Sequence, residues 1–265
     1  MFADDTTLLI KCLKNILNEE IKNEIERVKN WLKYNKLKVN LEKTKILKFQ
    51  KSNSEADKEL ENKISPIKCV SSTTFLGFNI DKNLNWKEHI DNICNRLNRF
   101  VFALKRIQNI VSKETALLSY HGYVSSVLRY GLILWGNSVE VDRAFIIQKK
   151  CIRAIAGVRN LTPSKPLFKK FKILPLASLY ILEACLFVKK YDYFFEKKTN
   201  NRIKNKLNIP TQKSSLNSKN AYCMTVKIYN NLPDKIKKDH ATFDKFKKDL
   251  SEWLLEKCFY TVQEY

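Results

Sequence analysis

The chain has 265 residues, of which 44% are hydrophobic, 5 are glycine and 6 are proline, a composition that favours long helices over a many-stranded barrel. The seven cysteines form no CxxC pair and the three histidines are far apart, which argues against a zinc motif and favours buried thiols over a disulfide framework. The formal charge of +22 predicts a nucleic-acid partner, because basic side chains that neutralise phosphates release counterions, although lysine-rich, asparagine-rich proteins also arise from AT-rich genomes.

Residues 1–80 combine strand and helix patterns. β-branched and aliphatic residues at 6–10 predict a short strand that follows the Asp4-Asp5 pair. Apolar residues at three- and four-residue steps predict an amphipathic helix over residues 16–32. Further strands are expected at residues 37–49, 67–70 and 75–80, with a charged surface loop at 50–63.

The central part of the chain, residues 81–195, is the most basic and is predicted to be helical. It contains 19 Lys and Arg against 8 Asp and Glu. An apolar stripe that starts after Trp86 predicts a helix, with Arg99 and Arg106 on the side opposite the stripe. This distribution makes the central part the main candidate for binding a polyanion.

The remaining helices are predicted from the same periodicity and from capping residues. They are expected at residues 112–130 with Ser112 as N-cap, at 142–157 with Gly157 at the end, at 176–195 and at 242–257. Residues 197–220 are rich in Lys, Asn, Ser and Thr, which predicts a linker or mobile loop. The pattern as a whole predicts an α+β fold that is mainly helical after residue 80.

The chain shows no pattern typical of a membrane protein or a secreted protein. Its longest apolar stretch, residues 173–188, is interrupted by Pro175 and Glu183, so we expect a core helix there and no membrane partner. The first residues lack the basic segment of a signal peptide. We therefore expect an intracellular protein, located in the nucleus or the cytoplasm.

The Asp4-Asp5 pair is the first chemical motif of the chain. Two adjacent carboxylates repel each other, so a cation is needed to hold both in the ionised form. Carboxylate oxygens suit Mg²⁺, and a magnesium pair can activate a hydroxyl and stabilise a leaving phosphate. An Asp-Asp pair is also a common turn or helix-start element, so the pair alone does not decide between a metal site and a turn.

The motifs that follow this pair resemble the jockey-like branch of non-LTR retrotransposon reverse transcriptases. The resemblance runs in order through most of the chain. It is carried by FADDTTLL (2–9), NKLKVNLEKTKILKF (35–49), FLGFNIDKNLNW (75–86), YGLILWG (130–136), QKKCIRAIAG (148–157), NNLPDKI (230–236) and FYTVQEY (259–265). It implies a polymerase palm in residues 1–80, a helical thumb in 81–195 and a C-terminal segment in 196–265.

The resemblance implies roles for three groups in the palm. Asp4 and Asp5 match the polymerase turn that holds the magnesium ions of two-metal nucleotidyl transfer. Lys43 matches a basic catalytic residue near the leaving phosphates, although a lysine beside a strand is most often simply solvated. Phe75, Leu76 and Gly77 match the primer grip, and they are equally compatible with ordinary hairpin packing.

The resemblance also assigns residues 86–157 to the thumb, which holds the RNA template and DNA primer through their backbones. Backbone binding requires exposed cationic side chains without a base-reading pattern. The candidates are Arg96, Arg99, Arg106, Lys149, Lys150 and Arg153. Trp86 and Trp135 are expected to lie in the core more often than they would serve as stacking platforms.

The chain departs from the family pattern ahead of the Asp-Asp motif. The family places a third catalytic carboxylate and the fingers upstream of this turn, whereas only Met1, Phe2 and Ala3 precede Asp4. We therefore expect a truncated RNA-directed DNA polymerase that binds nucleic acid and does not extend primers by itself. The alternatives are a non-catalytic basic nucleic-acid-binding module and an inert pseudogene product.

Overall fold

The computed structural model describes residues 6–11, 17–49, 62, 64–107, 110–197, 206–209, 220–238 and 242–265. The chain divides into two compact units, Met1–Leu84 and Asn85–Tyr265. Within the described ranges it combines α-helices with short strands, and the helices dominate. The mixed, mainly helical class predicted from the sequence is confirmed at this level.

The first unit contains one long helix and four short strands among its described residues. Helix α1 covers Leu17–Tyr34, with Glu19 and Glu20 in its first turn and Lys33 in its last, an arrangement that complements the helix dipole. The strands are β1 Lys45–Leu47, β2 Lys68–Val70, β3 Ser72–Phe75 and β4 Phe78–Asp81. The predicted helix at 16–32 is confirmed.

The strands pair in two separate ways. β1 and β2 are parallel, with Lys45 opposite Lys68, and β3 and β4 form an antiparallel hairpin. Among the described residues of this unit, Ile21, Ile64 and Ile67 form a buried cluster, and partly buried apolar side chains such as Ile25 and Ile46 pack against it.

Three strand predictions for this unit are wrong, wholly or in part. The strand predicted at 75–80 is interrupted, because Leu76 and Gly77 form the turn between β3 and β4. Residues 6–11 have no regular secondary structure, and Leu9 is exposed. A strand needs a partner for its backbone groups, and no described strand pairs with these residues. The predicted strand at 37–49 is shortened to Lys45–Leu47, because residues 41–43 form a turn. The predicted loop at 50–63 lies almost entirely outside the described residues.

The second unit is built from helices. In chain order they are α2 Lys87–Ile107, α3 Lys113–Ser119, a π-helix at Tyr120–Ser125, α4 Ser126–Arg129, α5 Leu132–Trp135, α6 Val141–Ala156, α7 Lys165–Lys170, α8 Leu176–Lys190, α9 Ala221–Asn231, α10 Asp234–Lys238 and α11 Phe243–Lys257. Short 3₁₀ turns lie at Asp192–Phe194 and Val262–Glu264. α8 is the central helix, because most of its side chains are buried and it packs against α5, α9 and α11.

The predicted N-cap at Ser112 and the predicted helix end at Gly157 are confirmed. The Ser112 side chain accepts a hydrogen bond from the backbone N–H of Thr115, and Thr242 caps α11 in the same way through Lys245. Gly157 ends α6 with φ of 69°, in the left-handed region that glycine adopts at no steric cost. Trp135 is fully buried, as expected for a core residue.

The predicted helix at 112–130 is interrupted. α3 is followed by six residues of π-helix before α4 begins. A π-turn contains an additional residue, so a pattern based on 3.6 residues per turn does not detect it. The predicted helix at 176–195 ends at Lys190, and the predicted linker at 197–220 lies mostly outside the described residues. In the described part of the chain, no helix is both long enough and apolar enough to cross a membrane.

Candidate nucleic-acid interface

Helix α2 has a buried side and a basic side. Ile90, Leu97 and Leu104 lie in the core, whereas Arg96, Arg99 and Arg106 are exposed. Arg99 and Arg106 are seven residues apart, so at 3.6 residues per turn they point within about 20° of each other and are separated by about 10 Å along the axis. We call Arg96, Arg99 and Arg106 the arginine face of α2.

The arginine face has no acidic neighbour on its own helix beyond the first turns. Residues 92–107 contain no Asp or Glu, and the acids of α2 are Glu88 and Asp91 near its start. Asp91 is paired with Arg143 at 2.6 Å. The C-terminal two thirds of α2 therefore carry basic side chains with no acidic side chain on the same stretch of helix, a charge pattern that favours phosphate binding.

The local contacts of the arginine face leave its cationic groups accessible. Arg99 Nε donates a 3.4 Å hydrogen bond to the Asn95 carbonyl oxygen. The Arg106 guanidinium carbon lies 4.8 Å from the centre of the Phe102 ring. Burial, and secondarily the charge of Arg96, lower the pKa of His89. Guanidinium groups carry five donors, so these contacts leave donors available for phosphate oxygens.

The candidate residues on α6 have a different environment. Lys149 Nζ lies 4.6 Å from the centre of the Phe145 ring and 5.8 Å from that of Tyr260. Arg153 Nε donates a 2.8 Å hydrogen bond to the Thr162 carbonyl oxygen. Both side chains are half-buried, whereas Lys150 is exposed. Lys149 and Arg153 thus already make contacts within the protein, which reduces their availability to bind phosphate.

Helices α2 and α6 start at the same end of the second unit. The ion pair between Asp91 and Arg143 joins the early turns of the two helices, and the helices then pack closely along each other. Helices α2 and α6 contact each other through their buried sides. The six thumb candidates therefore lie on two neighbouring helices, with the three arginines of α2 on the side that faces solvent.

The palm candidates of the first unit are only partly described. Asp4 and Asp5 lie outside the described residues, so the magnesium prediction that depends on them stays a prediction. Lys43 is exposed in the turn before β1, where its backbone N–H donates a 3.1 Å hydrogen bond to Asn40 Oδ1. Among the described residues, no group of three His, Cys, Asp or Glu side chains could hold a metal ion.

The predicted primer-grip residues form the tip of the β3–β4 hairpin. Phe75 pairs with Phe78, and Leu76 and Gly77 connect them with φ of 47° and 80°. Positive φ at both connecting residues is the geometry that matches the twist of a two-residue hairpin. Glycine adopts this geometry easily, whereas Leu76 does so against the preference of an L-residue. The hairpin itself is confirmed, and its role as a primer grip stays a prediction.

Phe102 lies within the arginine face of α2, although it was not among the residues predicted from the sequence to bind nucleic acid. Its side chain is 60% exposed, and it lies between Arg99 and Arg106 along α2. The signal was available, because Phe102 falls outside the apolar stripe of Ile90, Leu97 and Leu104. An aromatic residue outside the apolar stripe of an amphipathic helix is expected to be at least partly exposed to solvent, where it can serve a role other than core packing.

Comparisons of the chain with protein-family models, with curated proteins and with solved structures find no match. Membership of the polymerase family that the sequence motifs resemble therefore stays a prediction.

Proposed function

We propose that this chain serves RNA-directed DNA synthesis in a non-LTR retrotransposon, and that its helical unit binds the RNA template and DNA primer. The observation that carries the proposal is the arginine face of α2, which is exposed and free of acidic neighbours on residues 92–107. Arginines in such a position bind phosphate oxygens and ignore base sequence. The total charge of +22 adds long-range attraction to any nucleic acid.

The binding part of the proposal is tested by a salt titration with a short RNA/DNA hybrid. The variant is Arg99→Gln with Arg106→Gln, and the matched control is Lys247→Gln with Lys248→Gln, which removes the same charge from exposed positions of α11. Each lost phosphate contact lowers the slope of log K against log salt by about 0.9 for a duplex. We expect a reduction of about 2 for the arginine variant and little change for the control.

Equal losses in the two variants would contradict a specific role for α2. They would show that the protein attracts nucleic acid through its net charge alone. Unchanged affinity in the arginine variant would contradict the proposed role of the arginine face in binding nucleic acid.

The catalytic part of the proposal depends on Asp4, Asp5 and magnesium. Primer extension on a primed RNA template, abolished by Asp4→Asn, would establish polymerase activity in this chain. No extension, with salt-dependent binding retained, would limit the proposal to nucleic-acid binding. A second test uses Mn²⁺ as a paramagnetic probe: if Asp4 and Asp5 hold a metal, Mn²⁺ broadens the NMR signals of residues 2–9, and Asp4→Asn with Asp5→Asn removes the broadening.

The arginine face alone would also serve a non-catalytic nucleic-acid-binding module. This second candidate is favoured by the described structure of α2, because phosphate binding needs none of the palm residues. Salt-dependent binding without extension and without Mn²⁺ broadening would select the module. Broadening that depends on the two aspartates would select the polymerase.

A further inference from the structure

Phe102 is an exposed aromatic residue in the middle of the arginine face. It is 60% exposed, and it lies three residues after Arg99 and four before Arg106. Single exposed apolar residues are common on protein surfaces and need no explanation by themselves. The position of Phe102 differs from that general case, because every charged side chain from residue 92 to residue 107 of the helix is basic.

The guanidinium group of Arg106 lies over the ring of Phe102. The guanidinium carbon lies 4.8 Å from the ring centre, within the range of a cation–π contact. The two residues are at i and i+4, so they lie on the same side of α2. The exposed ring therefore lies directly beside a guanidinium group, the kind of side chain that binds phosphate oxygens.

An exposed aromatic ring distinguishes between single-stranded and double-stranded nucleic acid. The bases of a duplex are stacked on each other, and their faces are not available to a side chain at the surface. Unpaired bases offer their faces, and a protein that combines basic groups with an aromatic ring binds them with little sequence preference. Phosphate contacts from Arg99 and Arg106 are possible with either form, so Phe102 is the residue that would favour a single strand.

We propose that the arginine face binds a single-stranded segment of nucleic acid, with a base stacked on Phe102 and the flanking phosphates bound by Arg99 and Arg106. The proposal rests on the nucleic-acid binding proposed above and adds the form of the nucleic acid. The exposed amide of Asn95, on the same side of α2, supplies a donor and an acceptor for a sugar or a base edge.

The test compares four labelled 12-mers by fluorescence anisotropy: single-stranded RNA, single-stranded DNA, an RNA/DNA hybrid and duplex DNA. Phe102→Ala is expected to weaken binding of both single strands about tenfold, because it removes the aromatic face on which a base stacks. Binding of both duplexes is expected to stay unchanged. The slope against salt should also stay unchanged, because no charge is removed.

Three further variants separate stacking from other effects of the substitution. Phe102→Trp keeps an aromatic face and should retain single-strand binding, whereas Phe102→Leu keeps an apolar side chain and should not. Phe243→Ala is the matched control, since Phe243 is also an exposed phenylalanine on a helix of the second unit and is followed by the acidic Asp244. Thermal unfolding of each variant, followed by circular dichroism, shows whether the fold is retained.

The outcomes distinguish this proposal from the proposed function. If Phe102→Ala leaves single-strand binding unchanged while the arginine variant weakens binding of the hybrid, the stacking proposal is wrong and the nucleic-acid function stands. If Phe102→Ala weakens the duplexes as much as the single strands, or if Phe102→Leu retains full binding, stacking is also excluded. If the arginine variant changes no binding at all, the nucleic-acid function itself is wrong.

Discussion

The side-chain amide of Gln148 donates a 2.9 Å hydrogen bond to the phenol oxygen of Tyr120 in the interior of the second unit. The same nitrogen donates a 3.0 Å hydrogen bond to the carbonyl oxygen of Leu174. Burial raises the pKa of Tyr120, so its phenol stays neutral at any pH the protein experiences. One amide group thus joins α6, the start of the π-helix and the segment before α8.

Tyr120→Phe and Gln148→Ala are expected to be coupled in their effects on stability. Tyr120→Phe removes one neutral hydrogen bond and should lower the free energy of unfolding by about 1 kcal/mol. Gln148→Ala should lower it by about 2–4 kcal/mol, because it leaves the Leu174 carbonyl group unsatisfied and opens a cavity. Urea titrations of the single and double variants measure the coupling, and strictly additive losses would contradict the contact.

Gly136 and Gly122 should respond in opposite directions to substitution by alanine. A Cβ at Gly136 would lie 2.5 Å from Tyr180 Cδ2 and 2.6 Å from the Leu132 carbonyl oxygen, so atoms have to move. Gly136→Ala should lower the free energy of unfolding by about 1–3 kcal/mol. A Cβ at Gly122 meets no atom within 4 Å, so Gly122→Ala should raise it by about 0.5–1 kcal/mol. Equal effects in thermal unfolding would refute the packing described at Gly136.

His89 should make the second unit less stable as the pH falls. Its ring is buried between Trp86 and Trp135, with ring-centre distances of 5.9 and 6.1 Å, and burial together with Arg96 lowers its pKa from 6.5. The unfolded chain therefore binds a proton before the folded one does. The contribution of His89 is complete above pH 6.5 and is lost as the pH falls from there toward its folded-state pKa.

The measurement is the free energy of unfolding in urea at pH 7.5 and at pH 5.5. His89→Phe should reduce the difference between the two values, because phenylalanine has no proton to bind. A wild-type stability that rises on acidification over this range, without an equal rise in the variant, would contradict the predicted direction.

Arg153 and Lys150 should differ in their effect on stability, although both are candidate phosphate ligands. Arg153→Ala removes the 2.8 Å hydrogen bond to the Thr162 carbonyl oxygen and should lower the free energy of unfolding by about 1–2 kcal/mol. Lys150→Ala changes an exposed side chain and should stay within about 0.5 kcal/mol of the wild type. Equal stability of both variants would show that Arg153 is free to bind a ligand as Lys150 is.

Most helix positions of the second unit were predictable from the sequence. The buried stripe of α2, the caps Ser112 and Thr242 and the end of α6 at Gly157 depend on residues within a few positions of each other, and local rules describe them. The interruption of the helix at Tyr120–Ser125 was not predictable, because a π-helix contains an additional residue that a pattern of 3.6 residues per turn does not detect. The strand at 6–10 was wrongly predicted for a different reason, since a strand requires a partner elsewhere in the chain.

The candidate site, like the fold, has features that the sequence predicts and features that depend on tertiary packing. The sequence by itself determined the charge, the family resemblance and the identity of the basic residues, because these are properties of residue order. Residue spacing also placed Arg99, Arg106 and Phe102 on the side of α2 away from its apolar stripe. Only the tertiary structure decided that Lys149 and Arg153 make contacts within the protein. These contacts depend on residues outside α6, such as Thr162 and Tyr260, and residue spacing along a helix does not contain that information.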